Sequence, residues 1–147
     1  VRTQRETWPK VRFCLVFERE SLSVPAMRQV LGDTLRQIGV HEDSVADILL
    51  AASEACTNVV LHAGRSAAAY EVAATIGSVG CRVEVTDSGQ GWAGLRDDPS
   101  RFAVMRACVD DVTLRSAPGR GTSVVLNKRI SWGEGAWGPS LGWAVAR

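Results

Sequence analysis

The chain has 147 residues, of which 46% are apolar and 22% charged, and its formal net charge is +1. Those values suit one domain with one core, and they leave no basic run of the kind that direct nucleic-acid binding needs. No apolar run approaches the ~18 residues of a membrane span, and residues 1–10 are too polar for a signal peptide, so a cytoplasmic protein is expected.

Residues 11–18 are β-branched and aromatic, which predicts a strand. Ser23 is placed to cap a following helix, with Pro25 in its first turn, where a missing N–H costs little. Met27, Val30, Leu31, Leu35 and Ile38 follow at helical spacing, and Gly39 ends the run, so a helix is expected over 24–38. A second helix is expected over 42–62, because Val45, Ile48, Ala52, Cys56 and Val59 recur at three- and four-residue steps. Residues 68–76 and 81–86 read as a hairpin joined across 77–80. Residues 87–99 hold glycine, aspartate and proline and read as loop. A short helix over 100–109 and two closing strands over 112–116 and 122–130 complete the regular part. Residues 131–147 carry Trp132, Trp137 and Trp143 among glycines with no regular period. They form either a free tail or a segment that docks on this chain or a partner. The organisation expected is an N-terminal extension over 1–10, a domain over 11–130 and a Trp/Gly-rich tail over 131–147.

Cys14, Cys56, Cys81 and Cys108 are too far apart in sequence to read as a zinc pair. Cys14, Cys56 and Cys108 lie in apolar or small-residue stretches, so buried core positions are expected for them.

Three segments carry candidate chemistry. In Ser53-Glu54-Ala55-Cys56-Thr57-Asn58, ending at His62-Ala63, the residues Glu54, Asn58 and His62 lie four apart and share one side of a helix. A carboxylate and a carboxamide there suit a hydrated Mg²⁺, which takes oxygen ligands and keeps its waters; a solvated polar face is the bland alternative. In Val83-Glu84-Val85-Thr86-Asp87-Ser88-Gly89-Gln90-Gly91 a strand runs into Asp-x-Gly-x-Gly. A carboxylate at a strand end accepts a hydrogen bond from a purine amino group, and glycines let backbone approach a ligand; a plain turn is the alternative. Gly119-Arg120-Gly121-Thr122 precedes the last strand and, alone, is also a hairpin turn.

In this order the three segments resemble the N box, G1 box and final Gly-x-Gly-Thr of the GHKL ATPases, and most closely the anti-sigma factor serine/threonine kinases. The resemblance covers about residues 11–130 and includes Ser-Val-Pro-Ala, His-Ala and Met-Arg-Ala-Cys-Val-Asp-Asp-Val. It implies an α+β two-layer sandwich, the Bergerat ATP-binding fold, with a mixed, mostly antiparallel sheet covered on one face by helices. It implies ATP and Mg²⁺ as cofactors. Glu54 would be the general base toward a substrate serine, Asn58 the Mg²⁺ ligand, and Asp87 the adenine-binding carboxylate. Gly89 and Gly91 would shape the nucleotide pocket, and Gly119, Gly121 and Thr122 would lie near adenine. His62 matches the family but is assigned no chemistry. The implied partners are a sigma factor, an anti-anti-sigma (STAS-like) protein and a second copy of the chain.

The chain departs from that pattern after the G1 box. The usual ATP lid ends in Gly-x-Gly before a helix, but only 92–98 lie between Gly91 and Pro99, and the chain then reads Pro99-Ser100-Arg101-Phe102. A short loop with a proline offers fewer N–H groups to phosphates, so weakened nucleotide binding is expected, with Arg101 a candidate phosphate-binding cation. Three functions stay open: an active anti-sigma kinase, a pseudo-kinase binding module, and a detached histidine-kinase-like ATPase domain.

Overall fold

A computed structural model describes residues 11–62, 69–87, 100–117 and 121–134. Five strands and three helices follow in the order β1 (Val11–Glu18), α1 (Ser23–Gln37), α2 (Glu42–His62), β2 (Ala69–Ile76), β3 (Gly80–Asp87), α3 (Ser100–Cys108), β4 (Asp111–Ala117) and β5 (Gly121–Arg129). The strands make one sheet in the order β1-β2-β3-β5-β4. Every pairing is antiparallel: β2–β3 and β4–β5 are sequential neighbours, while β1 reaches β2 through α1 and α2, and α3 lies between β3 and the β4–β5 pair.

Alternation decides the faces of the sheet. Along β3, Cys81, Val83, Val85 and Asp87 are buried while Arg82 is exposed. One face therefore points at the helices and the other at solvent. The core lies between them, with Met27, Leu31 and Leu35 of α1, Val45, Ile48 and Val59 of α2, and Val72, Val83, Val85 and Val124 of the sheet. α2 has the length and apolarity of a membrane span, yet its place is the middle of this helical layer. Cys56, Cys81 and Cys108 are buried, but Cys14 is exposed, against expectation. The two-residue period of β1 turns it to the uncovered face.

The helix ends show why the chain turns where it does. Gly39 adopts φ 95° after the C-cap Ile38. Its N–H bonds the Arg36 carbonyl, and the Val40 N–H bonds the Leu35 carbonyl. That pair of bonds satisfies the last carbonyls of α1 and needs a residue tolerant of positive φ. At the other end, Ser23 does not cap α1: the N-cap is Leu22, with no side-chain cap bond. Ser23 is instead the first helical residue, and its hydroxyl is engaged with Glu20 and Tyr70.

The beginning of the tryptophan-rich segment docks on this chain. Trp132 pairs with Val40 as an isolated bridge and donates its indole N–H to the Ser78 carbonyl at 2.7 Å. Ser131 accepts from the His41 N–H and donates its own N–H to Ser44 Oγ. The Gly133 N–H reaches the Gly39 carbonyl at 2.8 Å. These bonds strap the α1–α2 connection and the β2–β3 turn together. Trp137 and Trp143 lie outside the described residues.

Candidate functional site

α2 positions two of the candidate side chains, and its direction follows from contacts at its ends. Near its start, Ser44 meets Ser131, and Asp47 forms an ion pair with Lys128 at 3.1 Å. Lys128 stands opposite Cys81, at the beginning of β3. Near its end, the Val60 carbonyl accepts at 3.2 Å from Nε of Arg19, directly after Glu18, which pairs with Ala69, and Cys56 shares the core with Tyr70. Tyr70 stands opposite Asp87, the last residue of β3. The helix therefore runs along β3 in the same direction. From Ser44 to Asn58 it rises about 21 Å, close to the roughly 23 Å from Gly80 to Asp87 along the strand. Glu54 and Asn58 thus belong to the same end of the molecule as Asp87.

At that end Asp87 is 0% exposed and faces the helical layer. Its register partners are Tyr70 on one side and Thr122 on the other, and Thr122 is 2% exposed on the same face. Beside them Thr86 and Ser123 exchange a hydroxyl contact at 3.0 Å. Gly121 opens β5 with φ 82°, a conformation that a side chain would strain, which places Thr122 directly after the turn. A carboxylate that is wholly buried at a strand end needs polar company or a polar ligand, since isolated burial is costly.

Asn58 is 6% exposed, and its Nδ2 has no hydrogen-bond partner among the described residues. The solvated-face reading of this residue is thereby excluded. Leaving a buried amide unpaired costs about 1–3 kcal/mol, so a polar group at this position fits a site completed by a ligand. Which of the amide's two ends faces the gap is a matter of a 180° flip, and a carbonyl turned there suits a cation. Glu54, one turn earlier, is partly exposed, and its charge reaches Cys108 at the end of α3. The flank of α2 that carries it therefore faces α3. Among the described residues no three His, Cys, Asp or Glu side chains cluster as a metal cage.

Gly89, Gly91 and Gly119 lie outside the described residues. Arg101 falls in the first turn of α3, and its side chain also lies outside them. α3 begins directly after Pro99, so only residues 88–99 join the end of β3 to it. Reading the sequence assigned Ser23 to a cap and gave Tyr70 no role, yet the two are hydrogen-bonded to each other beneath this end. The signal was slight: Tyr70 is the chain's one tyrosine, in a strand otherwise filled on its core face with Val72, Ala74 and Ile76. A separate hollow of about 410 Å³ opens between α1 and α2, lined by Val24, Pro25, Arg28, Arg36 and Leu49, and includes none of the three candidate residues at 54, 58 and 87.

A family model described as the histidine kinase-like ATPase domain matches residues 17–128. The chain belongs to that family. Among histidine kinase-like ATPase proteins, an anti-sigma F factor of Thermoanaerobacter pseudethanolicus is 28% identical over 131 residues, which cover 79% of this chain and 92% of that protein. An anti-sigma F factor of Clostridium acetobutylicum is 26% identical over 140 residues, covering 83% and 93% respectively. A solved Mycobacterium tuberculosis chain carrying RsbU and RsbW domains superposes with a TM-score of 0.66 at 25% identity. That match covers 83% of this chain and 33% of the longer one, so the present domain spans about a third of it. The family in general binds ATP and Mg²⁺, and the Bergerat-type sheet with three helices on one face is the fold expected of it.

Proposed function

We propose that this chain is an anti-sigma-factor-type regulator that binds a sigma factor and a STAS-like anti-anti-sigma partner, and that transfers phosphate from ATP to a serine of the latter. The observation that carries the nucleotide part is the buried Asn58 Nδ2, without a partner among the described residues, on the same end of the sandwich as the wholly buried Asp87. The partner part rests on likeness to proteins named anti-sigma F factor. The same likeness supports a homodimer and a cytoplasmic location.

In this reading Asp87 accepts a hydrogen bond from the adenine amino group, and Thr122, its register neighbour, closes the purine side. Gly89, Gly91, Gly119 and Gly121 let backbone come close to the nucleotide. Asn58 would hold Mg²⁺, which needs few protein ligands because water and phosphate oxygens fill the rest of its shell. Bound ATP·Mg²⁺ supplies the γ-phosphoryl group with part of its charge neutralised. Glu54 accepts the proton of the attacking serine hydroxyl, and Arg101 would serve as a phosphate-binding cation.

A second reading, a binding module without phosphoryl transfer, is favoured by the short span of 88–99 and by Pro99 immediately before α3. Both leave fewer N–H groups to cradle a triphosphate. The experiment is transfer of radiolabel from γ-labelled ATP to a STAS-like candidate substrate. Label on serine, reduced about a hundredfold or more in Glu54→Gln, is expected from removal of a general base. ATP binding with no transfer supports the binding module, and label on histidine supports a detached histidine-kinase-like domain.

A further inference from the structure

We propose that Tyr70 is the positioning residue of the nucleotide end, acting through a one-way chain of buried hydrogen bonds that ties β2 to the start of α1; this rests on the nucleotide reading above. Ser23 Oγ lies 2.6 Å from the Glu20 carbonyl and 2.6 Å from Tyr70 Oη. A carbonyl only accepts, so the single Ser23 proton goes to Glu20. Tyr70 must then donate to Ser23 Oγ. The direction runs from Tyr70 through Ser23 to Glu20, with Cys56 of α2 lying in the same core beside the phenol.

Tyr70, Ser23 and Cys56 are buried. The ring of Tyr70 already packs at 5.8 Å from Phe17, a contact that phenylalanine would make equally well. The hydroxyl is therefore not needed to bury the ring. What it adds is direction: in a low-dielectric core a satisfied polar chain selects one arrangement of the elements it joins. One neighbour gives that arrangement a consequence. Tyr70 stands opposite Asp87 in the β2–β3 register. Holding the hydroxyl fixes the start of β2 against the start of α1, and so sets where the Asp87 carboxylate stands.

The test is calorimetric titration with ATP·Mg²⁺, paired with amide hydrogen exchange of the nucleotide-free protein, on wild type, Tyr70→Phe, Ser23→Ala and the double variant. Tyr70→Phe is expected to weaken nucleotide affinity about tenfold, as loss of one buried hydrogen bond in a network can do, with faster exchange concentrated at 23–26 and 85–87. Ser23→Ala, which leaves the ring and strand intact, is expected to act in the same direction, and the double variant to be no weaker than the weaker single. Unchanged affinity in both single variants, with only a lowered melting temperature, assigns the chain to stability alone and overturns the proposal. Additive losses overturn the single-chain wiring. A wild type that binds no ATP overturns the nucleotide reading first, and this inference with it.

Discussion

Asn58 is a residue the fold would be better without. Its amide is buried with an Nδ2 unpaired among the described residues, and a leucine of similar volume would fill the space with no polar group to satisfy. Asn58→Leu is therefore expected to leave the nucleotide-free protein as stable as wild type or about 1 kcal/mol more stable, a rise of roughly 2–4 °C in a chain of this size. The same variant is expected to lose Mg²⁺-dependent nucleotide binding. A thermal melt checks the first part; a fall of several degrees would mean that the amide has a structural partner. A second expectation concerns alkaline pH. Burial pushes the thiols of Cys56 and Cys81 up to about 12, from an ordinary value of 9.0, and the Tyr70 phenol to about 12 from 10.0. Above pH 9 the unfolded chain releases protons that the native chain retains, so ∂ΔG/∂pH is negative there. Below about pH 8 these groups are almost wholly neutral in both states and contribute almost no slope. Urea midpoints should therefore hold steady from pH 6.5 to about 8, as far as these groups act, and fall steadily between about pH 8.5 and 12.

Among the elements, α2 is the one that links the two ends of the molecule. Its start is held by Ser131 through Ser44, and its far end carries Glu54 and Asn58. The strap that fixes the start depends on Trp132, partly buried against the core and bonded to the Ser78 carbonyl. Trp132→Ala is expected to cost about 2–3 kcal/mol, somewhat less than for a fully buried tryptophan. Trp132→Phe keeps most of the packing and should cost about 1 kcal/mol for the carbonyl it leaves unpaired. Chemical denaturation measures both; equal stability of all three proteins would show that the strap holds nothing. The helices and strands were largely legible in the sequence because local chemistry set their ends. Gly39 stops α1 through positive φ, and the periodic apolar stripe of α2 runs to the residues where the helix ends. The role of Ser23 was not legible, because its hydroxyl partner is Tyr70, 47 positions away, and a local cap is what the adjacent sequence offers. The strap was not legible either: it consists mainly of backbone bonds between loops, which leave no pattern in side-chain type.

For the whole molecule, the order of the three motifs around Glu54 and Asn58, Asp87, and Gly121 carried the family resemblance, and the resemblance carried the fold. It did not carry their spatial relation. The parallel course of α2 and β3, and the pairing of Asp87 with Tyr70 and Thr122, come from tertiary contacts. The exposure of Cys14 shows the same limit in reverse: its apolar neighbours suggested the core, but the sheet covers only one of its faces with helices. The central claim is that the end of the sandwich holding Asn58 and Asp87 is a purine nucleotide site. Calorimetric titration of the wild-type chain with ATP·Mg²⁺, beside Asp87→Asn, tests it most directly. The account predicts saturable binding by wild type and affinity lowered tenfold or more in the variant, since a hydrogen bond to a charged acceptor is worth about 1.5–3 kcal/mol. No binding by wild type, or equal affinity in the two proteins, would contradict it.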